Sequence, residues 1–218
     1  MRRAIDFAKI FIKRGLDTKC NTYDGNMKLQ KLLFFANFIS IAENGKVLFR
    51  EPIRAFSAGC VVEEVRLRYK NDYVSFCRDS EGFEPNLSQE EYDVINLTAE
   101  IFGHLSAREL SDVNHSFSFW KKAVEFSEHI DGFKDKNLAI VSYEEMLAES
   151  ANIKEVVARF KANRKEKAFK EIVNDVTFYF STDIEMTDDM LKQLENFSRQ
   201  AEDNTYTVYN DDGNMVIF

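Results

Sequence analysis

The chain has 218 residues, of which 44% are hydrophobic, 13% aromatic and 30% charged. That composition is too apolar for intrinsic disorder, and a net charge of −8 excludes a protein that is basic over its whole surface and grips nucleic acid with it. With only eight Gly and two Pro (Pro52 and Pro85) there are few obligatory breaks, so a predominantly α fold of the α+β class is expected rather than a many-turned sandwich or barrel.

The first helix is expected over Arg3 to Arg14, where Ala4, Phe7, Ala8 and Phe11 share one face and Gly15 stops the segment. After a polar loop, Met27 to Glu43 carries Leu29, Leu32, Leu33, Ala36 and Ile39. Phe34, Phe35 and Phe38 widen this stripe until the segment is apolar nearly all round, the mark of a central helix. Asn44-Gly45 caps it. The alternating stretch Pro52-Ile53-Arg54-Ala55-Phe56 predicts a strand or extended arm, Gly59 a turn, and Val61 to Lys70 a return to helical spacing. Further on, Ser88 with Glu91, Ser106 with Glu109 and Ser142 with Glu145 each place a capping hydroxyl three residues before a carboxylate, so three helices begin there.

Charge then divides the chain into three segments. Residues 1–150 are mildly acidic; 151–170 hold seven basic and two acidic side chains and are expected to form a basic connecting helix; 171–218 hold two basic and eleven acidic. In the last segment the period changes to two: Val176 to Phe180 is a strand candidate, Thr187 caps a helix through about Gln200, and Thr205 to Tyr209 and Met215 to Phe218 flank Asn210-Asp211-Asp212-Gly213 as a hairpin. The expected appendage is a small β-α-β-β unit, short enough to lean on the main domain or on a partner.

Common catalytic signatures for hydrolases, zincins, P-loops and dinucleotide folds are absent. The three His (His104, His115, His129) and three Cys (Cys20, Cys60, Cys77) lack metal-ligand spacing, so no metal and no cofactor are expected. Neighbouring carboxylates sit in first helical turns, where capping explains them better than acid–base catalysis. No enzyme is expected. The unpaired Cys fit reduced thiols of a cytoplasmic protein. No apolar run approaches the ~20 residues of a membrane span and no apolar core follows Met1-Arg2-Arg3, so neither a membrane nor a secretory address is expected. The basic stretch raises a nucleic-acid contact through Arg159, Arg164 and Lys165, against which stands a solvated helix or one paired with the acidic tail.

The run Met27-Lys28-Leu29-Gln30-Lys31-Leu32-Leu33-Phe34-Phe35-Ala36 resembles the opening helix of the Panacea domain, the SocA-like antitoxin or phage-associated GepA-like family. The likeness continues in order. Gly45 to Phe49, Glu51-Pro52-Ile53-Arg54-Ala55-Phe56 and Gly59-Cys60-Val61-Val62-Glu63-Glu64-Val65 are similar to the family's turn, arm and Gly-Pro-Val-Val segment. Leu110-Ser111-Asp112-Val113-Asn114-His115 with Phe119-Trp120 is similar to its Leu-Ser-x-x-Thr-His…Trp element, and Ile140 to Ala148 to its closing helix. Two positions depart from the pattern: Cys60 stands where the family usually has Pro, and Asn114 where it has Thr. The resemblance spans Ala4 to Glu149, leaving 151–218 outside it, and implies an antitoxin that binds and neutralises a cognate toxin protein in a bacterial or prophage toxin–antitoxin pair. Delivery to a protease, another host protein as partner, and DNA-binding autoregulation are the alternatives. Lys28, Gln30 and Lys31, which interrupt the apolar pattern, and the pair His115 and Trp120 are the candidate partner-binding residues; core packing is the competing explanation for the His–Trp pair.

Overall fold

A computed structural model describes residues 2–128, 139–166, 169–180, 186–211 and 214–217, with side chains at all of these except 163–166, 169, 209–211 and 214. The chain divides into two compact units, Met1–Val157 and Ala158–Phe218.

The first unit is helical and is organised around one helix. α1 (Ala4–Lys13) ends at Gly15, whose φ of +66° suits glycine. α2 (Tyr23–Asn44) starts four residues before its apolar run because the Thr22 hydroxyl accepts the Gly25 N–H at 3.1 Å and caps it, and it ends on Gly45 in the left-handed conformation. From Leu29 through Ala42 every side chain of α2 is buried, as a pattern apolar nearly all round requires. Phe35 stacks on Phe102 with centroids 4.1 Å apart, and Phe34 and Phe38 meet the stacked pair Phe117 and Phe119. Each such ring contributes about 2–3 kcal/mol of burial.

After α2 come β1 (Arg54–Phe56) and β2 (Gly59–Val61), an antiparallel hairpin pairing Arg54 with Val61, Ala55 with Cys60 and Phe56 with Gly59. The alternation at 52–56 reads correctly as extended, whereas β2 lies where only a turn is expected from sequence. Residues 139–141 run beside the arm: Ala55 donates to the Ala139 carbonyl at 2.7 Å and Val141 to that of Ile53 at 2.9 Å. The remaining helices are α3 (Glu63–Asn71), α4 (Tyr73–Glu81), α5 (Gln89–Phe102), α6 (Ala107–His115), α7 (Ser118–Glu128), α8 (Tyr143–Ala148) and α9 (Ser150–Glu166). All three capping boxes form, at Ser88, Ser106 and Ser142. Helices α1, α3, α5, α6 and α8 all pack on α2.

The second unit is a four-stranded sheet in the order β3 (Phe169–Val173), β4 (Val176–Phe180), β5 (Thr205–Asp211), β6 (Asn214–Ile217), with α10 (Asp188–Ser198) between β4 and β5. It therefore carries the expected β-α-β-β order with one strand more in front. β3 escapes the sequence pattern because it begins inside the basic run, where the connecting helix is expected to continue; that helix ends at Glu166 instead. Asn174 and Asp175, both at positive φ, turn β3 into antiparallel β4. β4 and β5 are parallel, and β5 pairs antiparallel with β6. Asp212 and Gly213 of the expected hairpin turn lie outside the described residues, as does His129. Val173, Val176, Phe178, Phe180, Leu194 and Val208 form the core of this unit, fed by the alternation of β4 and one face of α10.

Candidate functional site

A hairpin as short as β1–β2 makes few bonds of its own, so the outward peptide groups of β2 need partners from elsewhere. Side chains of three helices supply them. Lys31 of α2 donates from Nζ to the Cys60 carbonyl at 3.0 Å, and the Cys60 N–H donates to Asn114 Oδ1 of α6 at 2.6 Å. The Val62 N–H donates to Gln30 Oε1 at 2.9 Å. Ser111 Oγ donates to the Ala58 carbonyl at 2.8 Å, and Trp120 Nε1 of α7 to that of Phe56 at 3.0 Å. Gly59, at φ +96°, threads between two of these residues, and a Cβ there would overlap Asn114 Oδ1 and Lys31 Cε. The result is a polar clamp through which α2, α6 and α7 hold one turn of chain.

The electrostatics of this clamp are unbalanced. Lys31 is 0% exposed, and its ammonium donates to the neutral Cys60 carbonyl. Burial draws its ammonium down to about 8, with the nearby Cys60 thiol opposing that shift. Burial likewise pushes the Cys60 thiol up to about 12, which leaves it an inert neutral group at ordinary pH. His115 lies below the ordinary histidine range, first through burial and then through the charge of Lys31. Asn114 Nδ2 and His115 Nε2 are buried with no hydrogen-bond partner among the described residues.

Lys28, Gln30 and Lys31, expected from sequence to face a partner, are all buried. The physical reason is that a helix covered on every side keeps no outward face for them, so each turns its polar end onto backbone or another side chain. Lys28 donates to the Gly103 carbonyl at 2.8 Å and to Thr18 at 3.0 Å; burial lowers its ammonium, and Asp17 opposes this. His115 and Trp120 do come together, with ring centroids 4.1 Å apart, but the indole N–H is engaged by the hairpin. Arg159 is exposed on α9; the side chains of Arg164 and Lys165 lie outside the described residues.

Beside the clamp, the start of α2, the β1–β2 turn and α3 enclose a cleft of about 460 Å³. Tyr23, 73% exposed, and Met27 form one wall, Phe56 and Ala58 another, and Arg66 and Lys70 of α3 a third. Gln30, Lys31 and Tyr69 lie at its base. Arg66 sits over the Phe56 ring at 5.6 Å while its guanidinium forks onto Glu63 at 2.6 and 2.7 Å, a bond that raises its already high affinity for the proton. Tyr69 is anchored by donating to the buried Asp17 at 2.8 Å; Tyr73 donates to the same carboxylate at 2.9 Å. Burial, then the Asp17 contact, keeps the Tyr69 phenol protonated well beyond its usual range. Tyr23, Arg66 and Lys70 carry no local sequence signature. They belong to two separate helices, and only folding places them around one opening. Among the described residues no group of three His, Cys, Asp or Glu is placed to hold a metal ion, and no helix is long and apolar enough to cross a membrane.

The two positions that depart from the resemblance, Cys60 and Asn114, touch each other. A residue other than Pro at position 60 brings an N–H into the interior, and the side chain at position 114 is what accepts it. Residues 29–121 match the family described as antitoxin SocA-like, Panacea domain, a stretch that contains every clamp residue from Gln30 to Trp120. No curated protein and no solved structure matches the chain.

Proposed function

We propose that this chain, which carries an antitoxin SocA-like Panacea domain over residues 29–121, neutralises a toxin protein by binding it directly in the cytoplasm. The observation that carries this reading is the family match itself. The geometry is compatible with it: Gln30 and Lys31, polar groups that interrupt α2, hold the hairpin in place. In this reading the protein acts without a catalytic step, and the toxin is its cognate partner in a bacterial or prophage pair.

The experiment is co-expression with a growth-arresting protein encoded beside it. Relief of arrest together with co-purification of the two chains is the expected result. Relief that instead requires a host protease, with the toxin disappearing from the cell, assigns the role of adaptor. Undiminished arrest with no co-purification refutes the reading.

A further inference from the structure

The cleft combines three features that point to a ligand. The first is charge. Its lining holds Lys31, Arg66 and Lys70 and no carboxylate, on a chain whose net charge is −8. Glu63 outside the lining neutralises Arg66, which leaves Lys31 and Lys70 without a carboxylate partner among the described residues. Lys31 is the telling one: a fully buried ammonium bonded to one neutral carbonyl has given up its hydration without gaining a counter-ion. Beneath a concave, low-dielectric surface its field reaches into the opening. The second feature is the wall. Tyr23, Met27 and Phe56 offer aromatic and thioether surface suited to a flat apolar body. The third is size, since about 460 Å³ lies within the range of small-molecule sites and exceeds what one protein side chain fills.

We propose that this cleft binds a small organic acid, a single carboxylate joined to an aromatic body. The ring lies between Tyr23, Met27 and Phe56, and the carboxylate is drawn by Lys70 at the rim and Lys31 beneath. A monoanion fits better than a phosphate, because the one guanidinium fork in the cleft is already closed on Glu63, leaving two point charges and no bidentate cradle. The site lies beyond the toxin-binding reading and stands or falls apart from it.

The test uses the full chain and two probes of equal shape, indole-3-acetate and its neutral amide, followed by titration calorimetry and saturation-transfer NMR. The carboxylate is expected to bind at least tenfold tighter than the amide. Lys70→Glu, at an exposed position, weakens the acid about tenfold and leaves the amide unchanged, while Tyr23→Ala weakens both. Lys31→Met, where it folds, abolishes the difference between the probes. Equal binding of acid and amide, no binding of either, or indifference to Lys70→Glu overturns the proposal. A short peptide ending in a free C-terminal Trp that outcompetes the acid overturns the small-molecule assignment as well, by showing that the opening receives a chain end.

Discussion

The two units of this chain are held together by different means. In the second, the core of Val173, Val176, Phe178, Phe180, Leu194 and Val208 is wholly apolar, and strand alternation with one helix face accounts for it. In the first, an equally apolar set of rings surrounds a central helix whose interior also contains Lys28, Gln30, Lys31 and Asn37, joined across the fold by Asp17 and Asn114. Apolar contacts are non-directional and tolerate sliding, whereas a buried hydrogen bond has one geometry and is costly when unmade. The first unit therefore specifies the position of its hairpin to within hydrogen-bond tolerance; the second has no comparable polar interior among its described residues.

The largest effects test whether the units are independent. Phe35→Ala and Phe178→Ala each remove a fully buried ring and should cost about 4 kcal/mol. Trp120, the chain's single Trp, lies in the first unit and reports on it alone. In denaturant titrations its fluorescence transition should move with Phe35→Ala and stay in place with Phe178→Ala, which shifts only part of the circular dichroism. A shared shift would make the two units one cooperative body.

Next comes the polar contrast. Asn114→Ala leaves the buried Cys60 N–H without an acceptor and should cost about 2–3 kcal/mol, whereas Ser198→Ala, which removes a hydrogen bond from Asn174 in the second unit, should cost under about 1 kcal/mol. Equal losses would erase the distinction drawn between the two interiors.

Lys31 gives a pH-dependent version of the same test. Its folded-state pKa, about 8, lies below the unfolded value of 10.5, so its burial penalty is full below pH 8 and is relieved as pH rises from there toward 10.5. Between pH 7 and 9.5 the wild-type chain should gain about 2 kcal/mol relative to Lys31→Met. Comparison with the variant cancels most of the opposing titration of Cys60 and the tyrosines, whose folded pKa values are raised. A flat difference would mean that Lys31 is solvated in the folded state.

The smallest expected effect concerns the two departures from the family pattern. Cys60 points both of its peptide groups away from β1, so Cys60→Pro breaks no ladder bond while removing the N–H that Asn114 accepts. In a double-mutant cycle Asn114→Thr should be less harmful in the Cys60→Pro background than in the wild type, with a coupling of about 1 kcal/mol. Additive effects would show that the two positions changed independently.

By itself the sequence determined the elements that depend on neighbours in the chain. The central helix, its Gly45 cap, the three capping boxes and the acidic second unit are legible from local pattern and composition, and the ordered motifs carry the resemblance that the match over residues 29–121 bears out. Where local signals competed, reading from sequence stopped short: β3 is hidden in a basic run, and β2 is masked by a glycine that reads as a turn. Only the tertiary structure decided what Lys31, Cys60 and Asn114 do. Their roles arise from contacts spanning 29 and 54 residues of chain, and burial, which turns a surface-looking lysine into an uncompensated interior charge, is a property of the whole fold rather than of any window of sequence.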